Sequence, residues 1–534
     1  MIYTMNKSII YKCLLLILIF ISIQYKYFLP LDLMGNNNYF IEDDLFYYME
    51  IARNFWINYS FTFDEISLTN GFHPLWQYIL IFEYKLFDIL GLESYFIYGV
   101  IGLNIILFLI SMILFFNILN KKLSLEYSFI FTYLTYLFSM VFLINGMETI
   151  LLLLLFQIYF LYFLSISKDD NSSLIVNGII IILITFSRLD AIVISLLILI
   201  VNYVYFGKKY FIKLSCIYFL ILFLFLSYNY IIFETIFPIS GKVKQFWATL
   251  MKYNLDDNLL NLAKLYKNYL KLAFSEVLTK YGLYYITIIG IFLFVLKNIY
   301  YRAYRVNLKD LNTKYLIFYL IVLCYLISQL LYYSIYSAHI WRWYLGIGIV
   351  LSIFTILFGL FYSKTIEKSI IRKFLPLIIL PFLFIDLYVT ENKIRDITDK
   401  ETFGKVAFRV VDWININTKK DDIIGIWAAG QIGFYSDRKV VNLEGLVAGK
   451  ELLMANKNNS LYEYIKHNNI KYIIQWFPII SFDKEKSMVK EHSHPLINLR
   501  LKVLYENSDK FIYRDEIVIR DSLKSYRVYI FEVI

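Results

Sequence analysis

Apolar residues dominate the chain from residue 9 to about 389, in runs cut by short polar stretches. An alternating, mixed pattern then takes over across 390–534. Runs of roughly 20 apolar residues match the thickness of a bilayer's hydrocarbon core. They predict a polytopic α-helical membrane protein with about 11 transmembrane helices. The expected spans lie near 9–29, 95–119, 127–144 and a run ending at 165, then 211–233, 281–297, 315–333, 344–362 and 374–389. Between them, 174–206 reads as two short helices broken by Ser187-Arg188-Leu189-Asp190. Residues 30–94 read as a long external segment. Its helix near 75–90 carries Glu83, Lys85 and Asp88 and is expected to lie along the interface. Residues 390–534 read as a soluble α/β domain: strands over Asp422–Ala428, Lys439–Leu443 and Lys471–Trp476, a helix over 450–468, and turns at Gly430, Gly433 and Gly445.

Composition sharpens this picture. Of 534 residues, 59% are hydrophobic and the mean hydropathy is +0.60, which excludes an ordinary soluble protein. The net charge of +10 would suggest nucleic acid, but the cations gather in short loops: Lys121-Lys122, Lys208-Lys209 with Lys213, Lys297 to Arg305 and Lys309, and Lys364 to Lys373. Such loops are retained in the cytoplasm. They predict a multi-pass cell-membrane protein with a cytoplasmic N-terminus (a retained signal anchor), an extracytoplasmic C-terminal domain and no nucleic-acid partner. Cys13, Cys216 and Cys324 have no metal-like or disulfide spacing. No internal repeat or low-complexity segment is present.

Candidate chemistry starts at Glu42-Asp43-Asp44, just beyond the first expected span. A carboxylate there sits at headgroup depth and can take a proton from a hydroxyl. The same predicted topology puts Glu148, Arg188 with Asp190, Lys242 with Lys244, and His339-Ile340-Trp341-Arg342-Trp343-Tyr344 on that face. Ionisable groups at the margins of membrane helices are costly and tend to pair or to serve a pathway. Each also has a plainer explanation. Asp43 and Asp44 can cap a helix, Arg188 and Asp190 can neutralise each other, and His339 and Arg342 can anchor at the interface beside Trp341 and Trp343. Asp44 and Tyr48, four apart, share a helix face. In Thr69-Asn70-Gly71-Phe72-His73-Pro74, Asn-Gly is turn chemistry, Pro74 starts a helix, and His73 is structural or orients a substrate. A divalent cation on Asp43, Asp44 and Glu148 stays open.

At these residues the chain resembles the GT-C superfamily of membrane glycosyltransferases, above all the branch of protein O-mannosyltransferases and aminoarabinose transferases. The likeness is carried by Asp43-Asp44-x-x-Tyr47-Tyr48-x-x-Ile51-Ala52-Arg53-Asn54, by Thr69-Asn70-Gly71-Phe72-x-Pro74-Leu75-Trp76, by Asn145-Gly146-Met147-Glu148-Thr149 and by Ser187-Arg188-Leu189-Asp190. Pro238-Ile239-Ser240-Gly241-Lys242 and the run from Gly433 to Val447 extend it. The resemblance implies transfer of a sugar from a polyprenyl-phosphate carrier to an acceptor glycan, lipid or protein outside the cytoplasm. It implies Asp44 as base, better than Asp43 by register. The division of labour then expected is Arg342, Arg188 or Lys242 on the phosphate, Glu148 positioning the acceptor or supporting Asp44, and His339, Tyr48, His73 and Tyr344 around the substrate. Direct attack would invert the anomeric centre. A secondary transporter is the rival reading, though its charges would lie on broken helices at the membrane midplane. A lipid-linked polysaccharide polymerase or ligase is another, with less use for an acidic base.

Overall fold

The computed structural model describes residues 2–23, 41–165, 173–252, 311–336, 403–477, 482–483, 488–489, 502–504, 506–520 and 525–534. Its N-terminal part is helical: α1 (Ile2–Ile23), α2 (Asp43–Asn58), α3 (Pro74–Ile89), α4 (Phe96–Asn120), α5 (Leu125–Leu143), α6 (Thr149–Ser165), α7 (Ser173–Ser187), α8 (Ile192–Phe206), α9 (Lys208–Phe233), α10 (Ile239–Lys252) and α11 (Leu311–Tyr336). Several boundaries follow local chemistry. Pro74 opens α3, where its missing N–H costs nothing. The chain breaks at Arg188 and re-enters through a short 3-10 turn, Leu189–Ala191, as the sequence predicts.

The eleven expected crossings are not what the described residues form. Three helices are long and apolar enough to cross a membrane: Glu93–Asn120, Leu189–Phe206 and Lys208–Phe233. Length is one reason. The apolar helices Thr149–Ser165 and Leu174–Ser187 are short; at 1.5 Å per residue, 17 residues reach only about 26 Å, under the ~30 Å hydrocarbon core. The second reason is what covers the apolar surface. In α6 every residue from Thr149 to Gln157 is buried, so protein packs around it. In α5 the interior face carries hydroxyls at Ser128, Thr132, Thr135 and Ser139, all buried. There Tyr136 also accepts from Gln157 Nε2 of α6 at 2.9 Å. By contrast α9 is apolar and largely bare, with Leu220, Phe223, Leu224 and Ile231 exposed. Sidedness therefore does not follow from counting crossings. The spans expected at 281–297, 344–362 and 374–389 lie outside the described residues.

The C-terminal part is an α/β unit. Helix α12 (Phe403–Asn417) precedes β1 (Ile423–Ile426), α13 (Gly430–Tyr435), β2 (Val440–Asn442), α14 (Lys450–Lys457), α15 (Leu461–His467) and β3 (Ile470–Phe477). The short pair β4 (Phe482–Asp483) and β5 (Met488–Val489) comes next, then β6 (Phe511–Arg520) and β7 (Ser525–Val533). The main sheet has the order β2-β1-β3-β7-β6. β1 runs parallel to β2 and β3, whereas β7 is antiparallel to β3 and β6. Alternation along β3 splits the core: Tyr472 and Ile474 pack with the helical region's core, Ile473 with Trp427, Leu452 and Phe531. The single helix expected over 450–468 is two, parted at Asn458-Asn459-Ser460, where Asn459 takes a left-handed φ of 55°. Gly430 and Gly433, expected as turns, lie inside α13. They are glycines because neighbours crowd them: a Cβ would stand 2.2 Å from Asp43 O and 2.4 Å from Phe63 Cζ, respectively.

A close approach between the two regions lies at Gly71, where a Cβ would meet Leu446 O at 2.1 Å. Gly71→Ala is therefore expected to cost about 1–3 kcal/mol, read as a lowered thermal unfolding midpoint. Gly102→Ala, in open space on α4, is the control and should leave the midpoint unchanged or raise it. Equal midpoints for the two variants would contradict the close approach.

Candidate functional site

Helix α2 turns two faces to two different partners. At about 100° per residue, neighbours in sequence point apart, and Asp43 and Asp44 do so. Asp43 accepts hydrogen bonds from Gln431 N at 2.8 Å and Gly430 N at 3.1 Å. One turn on, Tyr47 OH accepts from Ala429 N at 3.1 Å and Asn442 Nδ2 at 2.8 Å. Arg53 donates to Phe434 O at 3.2 Å and lies 5.0 Å from that ring's centre. This face holds the C-terminal unit.

The other face, Asp44, Tyr48 and Ile51, borders a cavity of about 680 Å³. Tyr48 is fixed at both ends: its hydroxyl accepts from His73 N at 3.1 Å and its carbonyl from Gln77 Nε2 at 3.0 Å. The Asn-Gly loop sets the opposite wall. Asn70 Oδ1 accepts Ile239 N at 2.9 Å and Asn70 Nδ2 donates to Thr235 Oγ1 at 3.1 Å, which pins the start of α10. That helix brings Lys242 and Lys244 to the cavity, with Lys244 Nζ 3.9 Å from Asp44 Oδ2. Burial raises the Asp44 carboxyl above its ordinary value; Lys244 pulls the other way and Glu148 adds to the rise. Burial also lowers Lys242, helped by Lys450 and Lys457.

The deep end is a buried charge cluster. Arg188 donates to Glu148 Oε1 at 2.8 Å, to both oxygens of Asp190 at 3.1 Å, and to Tyr333 OH at 2.9 Å; Tyr333 in turn donates to Asp190. Glu148 is 1% exposed and Arg188 2%. Removing one member of such a group strands the others. His73 Nδ1 accepts Leu189 N at 3.2 Å, so the neutral ring carries its proton on Nε2, which stands 3.6 Å from Glu148 Oε1. Burial is the main cause that lowers the His73 pKa, favouring this neutral form.

Of the residues predicted from sequence, Asp44, Tyr48, His73, Glu148, Arg188 and Lys242 border the one cavity. The carboxylate of Asp43 is turned to the C-terminal unit instead. Arg188, expected on a phosphate, is already engaged by two carboxylates. His339, Arg342 and Tyr344 lie outside the described residues. Among the described residues no cluster of three His, Cys, Asp or Glu side chains could hold a metal ion. Tyr333 and the Leu446-Val447 wall were not picked out as site residues. The signal for Tyr333 was Ser328-Gln329 and Tyr332-Tyr333 within an otherwise apolar run.

Residues 393–529 match a family model described as a domain of unknown function (DUF8728). No curated protein matches the chain.

Asp43 supplies a test of the docking face. Burial holds its carboxyl up at about 7; Asp44 and Glu444 push the same way, and the Gln431 and Gly430 amides pull it down. A folded-state pKa above the unfolded one means the folded protein holds the proton more tightly. This contribution to stability is full below about pH 4 and is lost as pH rises through about 7. Asp43→Asn should flatten this part of the fall in thermal midpoint between about pH 4 and 8. Glu50, also raised to about 7, and Asp64, raised to about 6, retain their own contributions. An unchanged slope in the variant would refute the assignment.

Proposed function

We propose that this protein is a membrane glycosyltransferase that takes a sugar from a polyprenyl-phosphate donor and passes it to an acceptor hydroxyl, with Asp44 as the base. The observation that carries the reading is the pairing of Asp44 with Lys244 in a cavity that also contains Lys242. A phosphate leaving group needs no acid to protonate it. It needs cations and hydrogen-bond donors where negative charge builds up, while one carboxylate removes the acceptor's proton. Lys242 and Lys244 fit the first task, and a burial-raised carboxyl fits the second.

Arg188, bound by Glu148 and Asp190, serves as a structural counter-ion, so the phosphate role falls to the α10 lysines. The rest of the cavity suits a lipid-borne substrate. Leu222, Phe225 and Leu226 of α9 form part of its wall, while Leu220, Phe223 and Leu224 on the same helix are bare. One helix thus offers apolar surface both to the cavity and to a bilayer, a suitable path for an isoprenoid chain. Apolar walls also exclude water, which strengthens the charges inside. Direct attack by the activated hydroxyl inverts the anomeric centre.

Transfer from a labelled polyprenyl-phosphate sugar in membranes tests this reading. Asp44→Asn should lower transfer by about 10²–10⁴-fold, and Lys244→Ala by about 10²-fold, with both variants folded. Because the base acts deprotonated and its pKa is raised, kcat/KM should climb with pH through a value above the ordinary carboxylate range. Wild-type rates from a folded Asp44→Asn would remove the base from the scheme.

A further inference from the structure

Glu148 has one oxygen occupied and one open. Oε1 accepts from Arg188 Nη1 at 2.8 Å and faces His73 Nε2 at 3.6 Å. Oε2 finds no hydrogen-bond partner among the described residues, although the side chain is 1% exposed and borders the cavity. A buried carboxylate oxygen without a donor costs about 1–3 kcal/mol or more. An ionised carboxylate can only accept, so whatever relieves Oε2 must bring a donor.

Charge decides which donor. The guanidinium of Arg188 is already bonded to this carboxylate, and an ammonium at Oε2 would sit beside that like charge. A neutral hydroxyl meets no such repulsion. Under the proposed reaction the attacking hydroxyl belongs to Asp44, and the hydroxyls that every donor brings into the cavity are those of its sugar ring. Resting on that reading, we infer that Glu148 Oε2 is a binding subsite for a hydroxyl of the donor sugar. His73 is a positioning residue, whose Nε2 stands 3.6 Å from Oε1 on the side away from its Leu189 bond.

The backbone N–H of Leu189 makes this orientation possible. It occupies Nδ1 of His73 and leaves the other nitrogen as donor. The arrangement makes Glu148→Gln unusually informative. Arg188 donates to the Oε1 position, so the amide oxygen settles there. The amide NH2 then takes the Oε2 position, a donor where an acceptor stood.

The test measures binding of a bare polyprenyl phosphate and of its glucosyl, mannosyl, galactosyl and N-acetylglucosaminyl derivatives to full-length protein in nanodiscs. Wild type should bind at least one glycosylated lipid more tightly than the bare one. Glu148→Gln should lose about tenfold more affinity for the preferred glycosylated lipid than for the bare one, equal to about 1.4 kcal/mol. A monodeoxy form of that sugar should bind wild type about as weakly as the full sugar binds the variant. His73→Ala should move the glycosylated lipid alone, in the same direction and by less. Equal weakening of both lipids in Glu148→Gln would overturn the subsite and leave a purely structural carboxylate. A wild type that binds the bare lipid but gains nothing from any sugar would overturn the subsite while the lipid-phosphate site stands. A wild type that binds none of them would overturn the proposed reaction as well.

Discussion

A single guanidinium, that of Arg188, fixes the deep wall on which the rest of the cavity depends. It stands where α7 gives way to α8 and is bonded to the start of α6 through Glu148, to the break itself through Asp190, and to α11 through Tyr333. Replacing such a buried pair by apolar groups can be neutral, but removing one member leaves uncompensated charge and costs about 3–5 kcal/mol. The cluster therefore sets the relative placement of three helices more firmly than apolar contacts among interchangeable Leu and Ile side chains would. His73 joins it from the loop before α3, so the Asn-Gly turn and the charge cluster share one frame. Through Asn70 that frame also reaches the first turn of α10, and with it the two lysines.

The second organising element is α2. A helix between two regions must present a different chemistry to each, and here the change takes a single residue. Asp43 is a hydrogen-bond acceptor for backbone amides 387 and 388 positions away in the chain, while Asp44 faces a lysine. The contact is close because glycines make it so. At Gly430 and Gly433 the absence of a side chain brings α13 onto α2 and Phe63, and at Gly71 it admits a carbonyl of the C-terminal unit. Leu446 and Val447 consequently form part of the cavity wall.

Much of the site was legible in the sequence because charge in apolar surroundings is expensive and rarely idle. Glu148, Arg188 and Asp190 stood out for that reason, and the structure brings them within bonding distance. The break at Ser187–Asp190 was visible as polar residues inside an overlong apolar run. The number of membrane crossings was not legible, since hydropathy counts apolar side chains without saying what covers them. In α6 protein covers every residue from Thr149 to Gln157; in α9 much of the surface is bare. The role of Asp43 was also hidden: two neighbouring aspartates read alike along the chain and are told apart only by partners distant in sequence. Asn458-Asn459-Ser460 carried a helix-breaking signal that the reading of 450–468 as one helix passed over.

The adjacency of Asp43 and Asp44 carries one more consequence. The charge on Asp44 is among the causes that raise the Asp43 pKa, and such couplings are reciprocal. Whenever Asp44 takes up a proton, the electrostatic load on its neighbour eases and the clasp between the two halves of the molecule tightens. When Asp44 sheds it, the clasp slackens. Protonation at the cavity is thus felt at the seam, across a single peptide bond.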